Sequence, residues 1–223
     1  SKSTAYLFNG DIVDRGDKSL ECILMIFAYK IALFGQFYVT RGNHESLSCG
    51  SGSFFKECQK RLAYYPDAYK DFHDAFDSLP YGYVVEGKYF VTHGGIGPGM
   101  LIEDLKYLFR TEHDYNNHFG LRFLLWNDPC EDTVPVDENT LLAPSERGNL
   151  CFKFHPNLTL DFLRRNGLEL LIRSHQMAME GWELSQHDLC LTIFSAPNYV
   201  SCGNRGAVIA VTEDDINVCY MRS

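Results

Sequence analysis

Five short apolar runs, each followed at once by a polar cluster, place the strongest constraint on the fold of this chain of 223 residues. β-Branched and aromatic residues fill the runs, and Gly, Asn or Pro follows them, which is typical of strands that enter turns. The runs are residues 5–8 before NGDIVDRG, 37–40 before RGNHE, 89–92 before HGG, 170–172 before RSHQ and 191–194 before SAPNY. We therefore predict five strands whose carboxyl ends carry polar side chains.

Helical periodicity separates several of these strands, and Ser19 is the expected N-cap of the first helix. The predicted helices cover residues 20–34, 54–62, 68–79 and 158–166. Strands that alternate with helices predict an α/β layered fold, and residues 207–211 and 216–220 predict a closing β-hairpin. Because ligands bind at the carboxyl ends of strands in such folds, one shared site is expected for all five polar clusters.

Composition excludes several classes of protein. The formal net charge of −9 argues against a general nucleic-acid binder, which would present a basic face. The most apolar stretch, residues 22–39, is interrupted by Lys30, Gly35 and Gln36, so a buried helix is expected rather than a membrane span. Eight scattered cysteines without a CxxC pair predict reduced thiols in a cytoplasmic or nuclear protein.

The polar clusters combine carboxylate, amide, imidazole and guanidinium groups. Carboxylate and amide oxygens together with imidazole nitrogens suit Mn²⁺, Fe or Zn²⁺. An arginine beside such ligands indicates a phosphoryl group, and two cations about 3.5–4 Å apart are a common device for in-line hydrolysis. The candidate residues at the strand ends are Asp11, Asp14, Arg15, Asn43, His44, His93, His175, Asn198 and Tyr199.

Seven motifs in this order resemble the motif series of the phosphoprotein phosphatases, a family that includes the type 1, type 2A and type 5 enzymes and calcineurin. The motifs are GDIVDRG (10–16), RGNHE (41–45), HGG (93–95), LLWNDP (124–129), SERG (145–148), RSHQ (173–176) and SAPNY (195–199). The resemblance implies a calcineurin-like metallophosphoesterase fold, with two packed mixed β-sheets flanked by helices. It also implies one catalytic domain over residues 1–223, incomplete at its N-terminus.

The resemblance further implies a dinuclear centre of Mn, or of Fe and Zn. Asp11 would bridge the two cations, and Asn43, His93 and His175 would complete the ligands of the second. The family motif GDxHG, which supplies an Asp and a His to the first cation, is not found before Tyr6. We therefore expect one complete cation site, poor catalysis by this chain, and a fragment of an active enzyme rather than a natural pseudoenzyme.

Catalytic and substrate-binding roles also come from the resemblance. His44, oriented by Asp14, would protonate the leaving oxygen, and an imidazolium near its pKa suits that role at neutral pH. Arg15 and Arg147 would bind the phosphate, and Tyr199 would line the cleft. After RGNHE this chain reads SLSCGSGSFF, whereas the family usually has Asn and a Tyr-Gly-Phe triplet, so the rim of the site is expected to differ.

The function expected on these grounds is the hydrolysis of phosphoserine and phosphothreonine in proteins by metal-activated water. Phosphoprotein substrates, and regulatory subunits or appended domains, are the expected partners; nucleic acid and membrane are not. Two alternatives stay open. One is a pseudophosphatase or phosphoprotein-binding scaffold that lacks one metal site, and the other is a diadenosine-polyphosphate hydrolase.

Overall fold

The computed structural model describes residues 4–49, 52–107, 110–111, 118–131, 140–148, 151–213 and 215–221. The strands in this part of the chain are β1 (Tyr6–Phe8), β2 (Phe37–Val39), β3 (Gly82–Val85), β4 (Tyr89–Thr92), β5 (Asp128–Pro129), β6 (Leu142–Pro144), β7 (Phe152–Phe154), β8 (Leu170–Arg173), β9 (Trp182–Ser185), β10 (Cys190–Ile193), β11 (Ala207–Val211) and β12 (Ile216–Tyr220). The α-helices are α1 (Ser19–Ala32), α2 (Ser53–Arg61), α3 (Ala68–Phe76), α4 (Ile102–Leu105), α5 (Phe119–Trp126) and α6 (Pro156–Asn166). Short 3₁₀ turns cover Leu47–Cys49 and Tyr199–Ser201.

A five-stranded mixed sheet in the order β3-β4-β8-β10-β9 forms the centre of the fold. Strands β4, β8 and β10 are parallel, while β3 and β9 run antiparallel to their neighbours at the two edges. Successive side chains alternate between faces, so Phe90 and Leu171 pack among α5 and α6. Tyr89, Val91 and Ile172 pack on the other face, against side chains of the β11–β12 hairpin. The predicted α/β fold and closing hairpin are therefore confirmed.

Strands β1 and β2 form a separate parallel pair. Helices α1, α2 and α3 cover one side of it through a core that includes Val39, Ile23, Phe54 and Phe76. Just after β1, the Asn9 side-chain amide donates to the Thr92 carbonyl at 2.8 Å and to Ser174 Oγ at 3.0 Å. These bonds bring the carboxyl ends of β1, β4 and β8 together at one edge of the fold.

The N-terminus of α1 differs from the sequence prediction. The helix begins at Ser19 itself, and the buried Glu57 carboxylate accepts the N–H groups of Ser19 at 3.0 Å and of Leu20 at 3.3 Å. The Ser19 hydroxyl instead accepts the N–H of Asp14 at 3.1 Å. The predicted N-cap role of Ser19 is therefore wrong, because a carboxylate from α2 satisfies the free donors.

Two further expectations concern the whole chain. All eight cysteines are free thiols, as the spacing of the cysteines predicted. In the part of the chain that the structure describes, no helix combines the length and the apolar character that crossing a membrane requires.

Candidate metal centre

Two glycines allow the loops after β1 and β2 to approach each other closely. Gly10 has a φ of +74°, and a Cβ atom there would lie 2.5 Å from the Cα of Gly42. Asp11 follows with a φ of +53°, in the left-handed region that few residues other than glycine adopt. The local backbone therefore turns the Asp11 carboxylate toward the RGNHE loop.

The buried Glu45 carboxylate fixes this arrangement. It accepts N–H groups from Asp11, Ile12 and Gly42 at 2.8 Å each, and from Val13 at 3.3 Å. Hydrogen bonds from several backbone donors compensate the cost of burying a carboxylate. The sequence reasoning gave Glu45 no role, although it lies within the RGNHE motif.

Asp11, Asn43, His93 and His175 converge on one point. Nε2 of His93 lies 3.2 Å from Oδ2 of Asp11, 3.0 Å from Oδ1 of Asn43 and 3.1 Å from Nδ1 of His175. The Asn43 oxygen also lies 2.9 Å from Nδ1 of His175 and 3.1 Å from Oδ1 of Asp11. The structure thus brings together the four residues that the sequence offered as ligands of one cation.

Hydrogen bonding behind the cluster fixes the tautomer of His93. Its Nδ1 lies 2.8 Å from the Asn9 carbonyl oxygen, which can only accept, so Nδ1 carries a proton and Nε2 is the nitrogen that can bind a cation. A carboxylate, an amide oxygen and imidazole lone pairs that face one another repel unless something positive lies between them. Three arrangements relieve this repulsion: a cation at the centre, a proton on Nε2 of His93 that is donated to Asp11, or an Asn43 amide turned end for end so that its nitrogen donates. The ligand set suits Mn²⁺, Fe or Zn²⁺.

Electrostatics favours the forms of these groups that bind cations. Burial lowers the pKa of His175 well below its ordinary value, and the charges of His93 and Arg173 lower it further, so the ring is neutral at neutral pH. Burial by itself would raise the pKa of Asp11, but the charge of His93 and hydrogen bonds from His93 and His44 hold it below its ordinary value. A neutral imidazole and an ionised carboxylate are the ligand forms that metal binding requires.

His44 and Asp14 form a hydrogen-bonded pair beside the cluster. Nδ1 of His44 lies 2.8 Å from Oδ2 of Asp14, and the N–H of His44 donates to Oδ1 of Asp11 at 3.1 Å. Burial alone would lower the pKa of His44, but the bond to Asp14 and the charge of Asp11 raise it above its ordinary value. Asp14 also accepts the N–H of Phe54 at 2.8 Å, at the start of α2.

The two candidate phosphate-binding arginines have different surroundings. Arg15 is exposed, with a φ of +67°, and within the described residues no hydrogen bond or ion pair reaches its guanidinium. Arg147 donates through Nε to the buried Asp128, whose other oxygen accepts from Nη2 of Arg173 at 2.7 Å. The charge of Arg147 also contributes to the lowered pKa of His175.

Arg173 is a supporting residue that the sequence reasoning missed. It is fully buried, and it donates to the Gly94 carbonyl at 2.9 Å, to the Asn127 carbonyl at 3.2 Å and to Oε1 of Gln176 at 3.0 Å. It therefore joins the HGG, WNDP and RSHQ segments. Its place in the RSHQ motif was the available signal.

Among the described residues, no hydrogen bond or ring contact links two of the candidate residues, Tyr199 and Asn198, to the cluster. Tyr199 donates its N–H to Oδ1 of Asn204 at 2.7 Å, and its ring packs edge-on against Phe194 with centroids 5.2 Å apart. Asn198 has a φ of +49° and donates its N–H to the Asn204 carbonyl at 2.8 Å. The described contacts of both residues stay within the loop after β10.

Comparisons with known proteins identify the family of this chain. Residues 1–179 match the family described as calcineurin-like phosphoesterase. The serine/threonine-protein phosphatase T of Trypanosoma brucei brucei is 38% identical over 218 residues, which are 96% of this chain and 44% of that protein. The chain therefore spans less than half the length of this curated relative.

Solved structures give the same result. A protein serine/threonine phosphatase from Saccharomyces cerevisiae, described as similar to human phosphatase PP5, superposes with a TM-score of 0.86 at 33% identity, over 100% of this chain and 72% of that one. A cold-active protein tyrosine phosphatase, at 12% identity and a TM-score of 0.57 over 95% of this chain and 67% of that one, shares the fold alone. The chain therefore belongs to the calcineurin-like phosphoesterases and, within them, to the phosphoprotein phosphatase family.

Proposed function

We propose that this chain hydrolyses phosphate esters of serine and threonine side chains in proteins, with divalent cations bound at the candidate metal centre. The observation that carries the proposal is the convergence of four acceptor atoms, from Asp11, Asn43, His93 and His175, beside the Asp14–His44 pair. The serine/threonine phosphatases among the relatives support the choice of substrate.

The four converging side chains would hold one cation. We propose that the centre takes Mn, or Fe and Zn. A divalent cation there supplies Lewis acidity, which activates water and neutralises the charge of the phosphate. Asp11 keeps 28% of its side-chain surface exposed, so its carboxylate can also face a second cation, as a bridging ligand would. In this proposal the described residues supply the whole ligand set of one cation, so we expect one tightly bound Mn²⁺ per chain and slow turnover.

His44 is proposed as the general acid. Its pKa is raised, so a larger fraction of the imidazole carries a proton at neutral pH, and Asp14 accepts from Nδ1 so that Nε2 is free to donate. A proton delivered to the leaving oxygen avoids the release of an alkoxide. Asp14 does not contact the substrate in this proposal and acts by orienting His44.

Arg15 and Arg147 are proposed to bind the phosphate oxygens. Arg15 is exposed without an ion partner in the described part of the chain, and Arg147 is held by Asp128 through Nε only, so its two terminal nitrogens remain able to donate. A planar guanidinium matches two phosphate oxygens. The role of Tyr199 at the cleft, a cytoplasmic or nuclear location, and regulatory subunits or appended domains are parts of the proposal that rest on the sequence.

The test follows phosphate release by the full chain from a phosphothreonine peptide and from a phosphotyrosine peptide, and formation of adenosine mononucleotides from diadenosine tetraphosphate, each with and without Mn²⁺. We expect Mn²⁺-dependent release from the phosphothreonine peptide, and its loss in Asp11→Asn. Cleavage of the dinucleotide alone would instead establish the diadenosine-polyphosphate hydrolase. Mn²⁺ binding and binding of the intact phosphothreonine peptide, without turnover of any substrate, would favour the phosphoprotein-binding scaffold.

A further inference from the structure

Cys49 contacts both the main chain and the side chain of Asn43. Its Sγ lies 2.7 Å from the backbone carbonyl oxygen of Asn43, in a geometry in which the thiol donates. Nδ2 of the Asn43 side chain lies 3.3 Å from the same sulfur and donates to it. Cys49 therefore holds one residue of the metal centre through its main chain and its side chain at once.

A short turn brings the thiol to this position. The N–H of Ser46 donates to the Asn43 carbonyl at 3.2 Å, and the N–H of Cys49 donates to the Ser46 carbonyl at 3.1 Å. The 3₁₀ turn Leu47–Cys49 thus folds back on Asn43, and backbone hydrogen bonds support the contact.

Because a thiol has a single hydrogen to donate, the hydrogen bond that it makes determines which end of the Asn43 amide can face it. A thiol has one hydrogen, and here that hydrogen is used on the backbone carbonyl, so the sulfur can only accept from the side chain. The amide nitrogen of Asn43 can satisfy that acceptor, and the amide oxygen cannot. With Nδ2 on the sulfur, Oδ1 faces Asp11, His93 and His175.

We propose that Cys49 is a positioning residue for the metal centre, because it holds the Asn43 amide with its oxygen toward the cation. The inference rests on the proposed metal centre. Without the thiol, the amide can turn end for end, and its nitrogen then donates to Asp11, His93 and His175 in the place of the cation. An amide nitrogen does not bind a divalent cation, so the turned form competes with metal binding.

Calorimetric titration of the full chain with Mn²⁺ tests this inference. Cys49→Ala is expected to weaken Mn²⁺ binding by about tenfold, the lower end of the range for groups that orient metal ligands. Cys49→Ser keeps one donor and its acceptor lone pairs, so it should stay much closer to the wild type than Cys49→Ala does. Cys22→Ala, which removes a half-buried thiol of α1, is the matched control and should bind like the wild type.

Asn43→Asp separates orientation from a general structural effect. A carboxylate presents an oxygen whichever way it turns, so Cys49→Ala should cost little when it is combined with Asn43→Asp. If Cys49→Ala lowers Mn²⁺ affinity equally with and without Asn43→Asp, the inference is overturned and the thiol has a structural role. If the wild type binds Mn²⁺ and Cys49→Ala binds it with unchanged affinity, the inference is also overturned. Absence of Mn²⁺ binding by the wild type would instead overturn the proposed metal centre.

Discussion

Nδ1 of His44 lies 2.8 Å from Oδ2 of Asp14, and this pair is built on the same two loops as the candidate metal centre. His44 directly follows Asn43 in the RGNHE loop, and Asp14 lies three residues after Asp11 in the GDIVDRG loop. The proposed general acid and the proposed cation site are therefore fixed relative to each other by short stretches of backbone.

Removal of the His44 imidazole should separate proton transfer from metal binding. His44→Ala should reduce turnover of the phosphothreonine peptide by roughly 10²–10⁴-fold, the usual contribution of a general acid. Mn²⁺ affinity, measured by calorimetry, should change little, because the ring of His44 is not among the converging ligands. A parallel loss of Mn²⁺ affinity would contradict the assignment of His44 as the acid.

A methyl group on Gly52 should disturb the hydrogen-bonded pair of Asp14 and His44. Gly52 has an extended backbone that alanine tolerates, but its Cβ would lie 2.2 Å from Oδ1 of Asp14. Gly52→Ala should therefore displace Asp14 and lower turnover with little change in Mn²⁺ affinity. Gly120→Ala, whose Cβ would meet only the His118 ring at 3.1 Å, is the matched control and should retain activity. Unchanged turnover in Gly52→Ala would show that the orientation of Asp14 does not matter.

The buried Asp128 should be important for stability. Asp128→Ala leaves the fully buried Arg173 without its carboxylate, so the free energy of unfolding in urea should fall by about 3–5 kcal/mol, as for other broken buried pairs. Arg147→Ala removes the more exposed partner of Asp128 and should cost less than about 1 kcal/mol. It should weaken peptide hydrolysis nevertheless. Equal losses of stability in the two variants would contradict this account.

His73 should make the fold sensitive to acid. Burial, together with the charge of Arg41, lowers the pKa of His73 from 6.5 to about 4. As the pH drops, His73 is therefore protonated in the unfolded chain before it is protonated in the folded one. The free energy of unfolding falls between about pH 6.5 and 4, by about 3 kcal/mol in total. His73→Leu should flatten the pH dependence over this window in urea unfolding with chelator present. A variant with the same pH dependence as the wild type would rule out His73 as the cause.

Apolar patterning predicted the long elements well, because burial follows the side-chain period. The hairpin strands β11 and β12 have the predicted bounds, and α2 and α6 lie within two residues of theirs. The predicted end of α3 was too late, since Leu79 is buried beyond the helix end at Phe76. Strands of two or three residues such as β5 are too short for a period, and α5 (FGLRFLLW) is apolar on nearly every side.

The motifs predicted which side chains meet, but not what supports them. Asp11, Asn43 and His93 follow predicted strands, and the carboxyl ends of those strands meet at one edge. Glu45 and Arg173 are buried charges whose partners lie far along the chain, and no local pattern indicates burial of a charge. These supporting contacts depend on tertiary packing.

The most direct test of the metal centre is an anomalous difference map from crystals of the full chain grown with Mn²⁺. The account predicts a peak about 2.0–2.4 Å from one carboxylate oxygen of Asp11, Oδ1 of Asn43, Nε2 of His93 and Nδ1 of His175, at the distances usual for divalent cations on such ligands. A map without a peak there, with the Asn43 amide nitrogen donating to these acceptors instead, would contradict it.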